Sequence, residues 1–256
     1  MLAFAGSLDL PAIAMILGPI LAVLLGSGFV WRRFCLLSNR LMIDLGIAYL
    51  VIGAIGILYD TNGLYSFHFI AALALLPLLY GLLLKLPFHM LSRDYQALAE
   101  PPPLAFRVGA LIMIIGILTA AALMTAPASA YLSTIAIVFI LLGVLIISSL
   151  SRLRPSASFS ADLISYLPAV GLTGLGLSGA TALQDLYELD SLASILTLGC
   201  LALLYSVFLK ILLTIAFPTV EPDETVLNDF GRLTLSLMLL GAALYMAFVS
   251  LELSTG

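Results

Sequence analysis

The chain has 256 residues, 62% of them hydrophobic and only 9% charged, with a formal net charge of −4 at pH 7 and a mean hydropathy of +1.20. A water-soluble domain carries about a quarter of its residues as charged side chains, so this composition argues against a globular protein covered by water and puts lipid against much of the surface. The two cysteines, Cys35 and Cys200, stand alone without CxxC spacing, which argues against a disulfide framework or a cysteine metal site.

A helix that crosses the hydrocarbon layer needs about 20 mostly apolar residues. Eight runs qualify, making the fold class all-α, a polytopic membrane helix bundle. In chain order they are roughly Pro11–Trp31, Leu41–Leu58, Tyr65–Leu86, Phe106–Met124, Tyr131–Leu150, Asp162–Leu183, Leu192–Phe217 and Leu233–Leu251. The first lacks a basic segment before it and a small-residue cleavage site after it, so it reads as a retained span and not as a removed signal peptide. The connectors carry the polar and helix-breaking residues, including Trp31-Arg-Arg-Phe, Tyr59-Asp-Thr-Asn-Gly, Glu100-Pro-Pro-Pro and Ser151-Arg-Leu-Arg-Pro. None is long enough to hold a separate domain.

With eight crossings, connectors alternate between two sides. Arg32, Arg33, Arg40, Lys85, Arg93, Arg107, Arg152, Arg154, Lys210 and Arg232 all fall toward one side, and Asp9, Asp60, Asp185, Glu188, Asp190 and Glu252 toward the other. Basic residues stay on the cytoplasmic side, so both termini are expected outside the cytoplasm, in a multi-pass protein of a bacterial inner membrane.

The two halves also echo each other. Leu78-Leu79-Tyr80 with Leu84-Lys85 returns as Leu203-Leu204-Tyr205 with Leu209-Lys210, and Arg107 as Arg232, each 125 residues on. Upstream, Asp44, Gly53 and Gly56 align with Asp162, Gly171 and Gly174 at a spacing of 118, the difference being assigned to a longer outer loop at Asp185–Ser191. Residues 1–127 and 128–256 thus read as two four-helix repeats, parallel because each has an even number of spans.

Glycines stud the second span (Gly46, Gly53, Gly56) and the sixth (Gly171, Gly174, Gly176, Gly179). Small residues let helices approach closely in lipid; the faces either pack within the chain or line a seam in an oligomer. Asp44 and Asp162 are expected to open the second and sixth spans, where a carboxylate complements the helix dipole or gives ions access. No acid is expected near the middle of a span, where a proton relay would carry one. Lys85 and Lys210 either snorkel to the headgroups or pair with an acid on a partner. Pro77 and Pro168 lie inside helices and permit kinks. Neither His68 nor His89 has a second histidine at ligand spacing, so no metal, haem or other cofactor is expected. No nucleophile with a base, no phosphate loop and no basic patch with aromatics is present, which leaves enzymatic chemistry and nucleic-acid binding without support.

The run Tyr166-Leu-Pro168-Ala-Val-Gly171-Leu-Thr173-Gly174, then Glu188-Leu-Asp190-Ser-Leu-Ala, then Leu203-Leu-Tyr205, ending at Phe217-Pro218, resembles the channel-forming helix pair of the MotA/TolQ/ExbB family of proton-channel motor subunits. Gly53, Gly56, Tyr80 and Leu86-Pro87 echo it in the first half. The resemblance implies an oligomeric ring that holds the single transmembrane helix of a partner, and the partner supplies the ion-carrying acid. Pro168, Gly171, Thr173, Gly174, Tyr205 and Pro218, with Gly53, Gly56 and Tyr80, are then helix-packing or pore-lining positions. The family's paired pore threonines are replaced here by Leu201 and Ala202, and its large cytoplasmic helical region has no counterpart. The expected function is an integral membrane subunit of such an oligomeric complex, with lipid and other membrane subunits as partners. A structural or assembly subunit of a respiratory or antiport complex is the alternative, and a small-molecule transporter a third reading.

Overall fold

The computed structural model describes residues 10–59, 64–92, 101–153, 159–184 and 189–218. Among these residues the chain forms seven α-helices and a short 3₁₀ turn, with no strand. The helices are α1 (Leu10–Gly26), α2 (Trp31–Tyr59), α3 (Leu64–Ser92), α4 (Leu104–Thr125), α5 (Thr134–Ser151), α6 (Phe159–Gln184) and α7 (Leu189–Ala216), with the turn at Ala128–Tyr131 between α4 and α5. They coincide with the first seven expected spans. The eighth, Leu233–Leu251, lies outside the described residues, as do the side chains of Asp9, Asp60, Arg93, Arg154, Asp185, Glu188, Arg232 and Glu252.

Local sequence explains the helix ends. Gly28, at φ 66°, closes α1 in a Schellman turn: its N–H donates to Leu25 O at 2.9 Å, and that of Phe29 to Leu24 O at 3.3 Å. The left-handed conformation suits a residue without Cβ, and Phe29 follows it at φ 60°. Phe29 then seats edge-on against Phe106, which fastens the turn to the start of α4. Three prolines, Pro101 to Pro103, precede α4, and Pro127 follows its last turn. Ser133 caps α5, its hydroxyl accepting from Ala136 N at 3.3 Å.

Two expectations are corrected here. Helix α2 begins at Trp31, so Arg32, Arg33 and Arg40 ride on the helix and the first connector is only Ser27–Val30. The breaker-poor stretch Trp31–Arg40 continues the helix because nothing in it removes a backbone donor. The connectors between α2 and α3 (residues 60–63) and between α6 and α7 (185–188) are equal in length, so the second half has no longer outer loop.

The packing is layered around α2, whose apolar stretch is buried throughout. It packs most extensively on α3, then on α7, with α4 and α1 on its other flanks. The α6–α7 pair is the second extensive hairpin, and α5 leans on both members. Each hairpin closes at a glycine. A Cβ on Gly46 would lie 3.0 Å from the Cα of Leu78, and one on Gly171 would lie 3.0 Å from the Cα of Leu203 while striking the Ser206 hydroxyl. The outer faces of α4 and α5 present Ile112 (67% exposed), Leu141, Leu145 and Ile146 to the surroundings. Contiguous apolar faces of this kind require a non-aqueous solvent. Five of the described helical segments are long and apolar enough to cross a bilayer.

Candidate functional site: a buried pair between Asp44 and Lys210

Helix α2 contains one acidic residue, Asp44, and α7 contains one basic residue, Lys210. The fold brings them together: Lys210 Nζ lies 2.8 Å from Asp44 Oδ2, with both side chains 2% exposed. The reason is energetic. An isolated charge in a low-dielectric interior costs several kcal/mol, so two oppositely charged groups on adjacent buried faces lower the free energy by meeting.

This overturns three expectations. Asp44 does not open α2 but stands midway along it, and no acid occupies the first turn. An acid is therefore present in the interior of a span. Lys210 turns into the bundle instead of reaching the headgroups, and its acid comes from the same chain. By contrast, Asp162 does lie in the first turn of α6, where it complements the helix dipole.

Two arginines surround the C-terminal end of α7. Arg40 Nη1 donates to Pro218 O at 3.1 Å, and Arg107 Nη1 donates to Ala216 O at 2.7 Å. Ala216 O is a terminal carbonyl that α7 leaves without an intrahelical donor, and Pro218 lies two residues past the helix end. The two arginines also gather α2, α4 and α7 into one basic end of the bundle. Along the helix axes, Asp44 is about 6 Å further in than Arg40, and Lys210 about 9 Å further in than Ala216. The pair thus sits inside the bundle, one to two turns beyond the arginine layer.

On the other side of the pair, a hydroxyl network fixes α2 against α7. The Tyr131 hydroxyl touches that of Thr125 and donates to Ile52 O at 3.1 Å. The Tyr205 hydroxyl donates to Tyr131 O at 2.5 Å and accepts from Ser133 N at 3.3 Å. Tyr205 therefore holds the 3₁₀ turn onto α7.

The remaining expected site residues scatter among packing roles. Gly53 and Gly56 are buried in α2. Pro168 and Gly171 are buried in α6, and a Cβ at Gly174 would press Ala202 (2.8 Å) and Phe139 (2.9 Å). Pro218 is buried beside Arg40. Tyr80 and Thr173 are exposed, and the Thr173 hydroxyl donates to its own helix at Ala169 O, 2.8 Å away. Thus Gly171, Gly174 and Tyr205 share the α6–α7 region, while Gly53, Gly56 and Tyr80 belong to the other hairpin. The sequence signal for the missed pair was available: each charge is alone of its sign in a long apolar helix, and a buried charge needs a partner. Tyr131 and Thr125 carried no such signal, since hydroxyls occur throughout the chain.

The helices and the buried pair define a multi-helix protein embedded in a membrane. No protein-family model, no curated protein and no solved structure matches the chain.

Proposed function

We propose that the protein is an integral membrane subunit of an ion-translocating complex, in which Asp44 and Lys210 form the protonatable element. The carrying observation is the 2.8 Å pair between two helices of a lipid-embedded bundle. Ionisable residues inside membrane spans are costly and mark ion paths or proton relays. Stability is a poor reason for such a pair, because well-packed apolar residues hold a buried site equally well or better. The pair has two states by construction. A proton on Asp44 removes the attraction and leaves the Lys210 charge uncompensated, so α2 and α7 gain a reason to separate or repack.

We further propose a duplicated architecture, in a single register of 125 residues. Tyr59 and Gln184 end α2 and α6, Leu64 and Leu189 start α3 and α7, and Gly26 and Ser151 end α1 and α5, each pair 125 residues apart. In the same register Gly18 matches Gly143, Gly46 matches Gly171, and Gly116 matches Gly241. The eighth span, Leu233–Leu251, would then be the counterpart of α4. Lys85 and Lys210 correspond, but Asp44 falls opposite Ala169 and Asp162 opposite Leu37. The acid of the pair belongs to one copy alone, as expected if the repeats diverged toward one charged site.

The test uses the intact particle purified in mild detergent, with its co-purifying chains identified, and reconstituted in vesicles holding a pH-sensitive dye. Proton or cation flux in the native particle, lost in an assembled Asp44→Asn particle, is the expected result. Flux that is unchanged in both Asp44→Asn and Lys210→Gln particles would refute the reading.

A second reading keeps the partner-holding role implied by the MotA/TolQ/ExbB resemblance, with both termini outside the cytoplasm of a bacterial cell. It is favoured by the outer face of α6, where Thr173 is exposed and a Cβ on Gly176 would meet nothing within 4 Å. That surface, and not the buried Gly171, would receive a partner helix.

A further inference from the structure

A different part of the bundle carries an independent observation. Tyr49, in α2, is 2% exposed, and its hydroxyl has no hydrogen-bond partner among the described residues. It lines a cavity of about 20 Å³ between α1, α2 and α3, together with Pro19, Met42, Gly46, Pro77 and Tyr80. A buried hydroxyl without a partner is costly, so a native fold has a reason to supply one.

Sequence rules out a side chain for this role from the neighbouring segments. Residues 70–76 of α3 and 10–16 of α1 are wholly apolar. The backbone does offer an acceptor. Pro77 has no N–H, which removes the donor that would close the helix on the carbonyl of Leu73. Tyr49 on one helix and Pro77 on the next, the residue that releases the Leu73 carbonyl, therefore line the same cavity, together with Tyr80. A water molecule needs about 10–15 Å³ of this kind of volume and two to four polar partners.

We propose that this cavity is a water-binding site, in which one water joins the Tyr49 hydroxyl to the Leu73 carbonyl across the α2–α3 interface. The water satisfies both groups at once and makes the Pro77 interruption a hydrated joint inside a hairpin that is otherwise dry. The close approach at Gly81 just below it, where a Cβ would lie 2.6 Å from Met42 O, leaves no room for a second layer of solvent. This site does not depend on the role assigned to Asp44.

The test is X-ray radiolysis of the full-length protein in oxygen-18 water, with label read by peptide mass spectrometry. A bound water activates the side chains beside it, so Met42 and Tyr49 are expected to take label several-fold above Cys35 and Cys200, which are equally buried and intrinsically reactive. In Tyr49→Phe the excess at Met42 is expected to vanish. Pro77→Ala, which restores a backbone donor for Leu73, is expected to reduce it as well and serves if the first variant folds poorly. Labelling of Met42 no greater than that of the buried cysteines would overturn the proposal. So would excess labelling that persists in both variants, because the water would then not be held by these groups.

Discussion

Replacing Asp44 by Asn removes one charge of the buried pair and leaves the Lys210 ammonium facing a neutral amide in a site that is 2% exposed. Breaking a buried pair by removing one partner costs about 3–5 kcal/mol. Each kcal/mol moves the midpoint of a chain this size by about 2–4 °C. Asp44→Asn and Lys210→Met are therefore each expected to lower the Tm in detergent by about 6–20 °C. The double variant Asp44→Leu with Lys210→Met carries no orphaned charge and is expected to regain most of that loss. Thermal unfolding of the four proteins measures all of this. Single variants within about 2 °C of the parent, or a double variant as unstable as the two losses added, would refute the reasoning.

Four further outcomes follow from the packing. Gly171→Leu is expected to break the α6–α7 hairpin and abolish monodisperse elution, because its first side-chain atom already collides with Ser206. Gly176→Leu, with open space around it, is expected to leave the isolated chain unchanged and to weaken assembly only if a partner helix lies on that face, which native gels of the complex would reveal. Tyr131→Phe removes the donor to Ile52 O and is expected to cost about 1 kcal/mol, read as a small fall in Tm. Gly28→Ala places a Cβ at φ 66° and is expected to cost about 1–2 kcal/mol, again by thermal unfolding.

The helices were legible in the sequence because spanning lipid imposes a length and a composition on each one, and no tertiary contact is needed to meet that demand. Their exact starts were less so: the run Trp31–Arg40 contains arginines and reads as a connector, yet arginine is a good helix former and nothing in the run breaks the backbone. The echo between the halves rests on Lys85 with Lys210 and Tyr80 with Tyr205; the ends of α2 and α6, 125 residues apart, do not keep the 118-residue spacing of the upstream glycines, since glycines recur in leucine-rich helices at several spacings.

The candidate site was decided elsewhere. Sequence alone places one acid in α2 and one base in α7 and states that a buried charge wants a partner. It does not state that these two helices touch, since 166 residues separate Asp44 from Lys210 and neither face carries a pattern naming the other. Which helices become neighbours depends on how glycine-lined faces and large side chains fit in three dimensions, a property of summed packing that no local window contains. Composition thus determined that the chain lives in lipid as a bundle of apolar helices. Tertiary packing determined that Asp44 meets Lys210, that Arg40 and Arg107 close the end of α7, and that Tyr49 lines a small cavity between α1, α2 and α3.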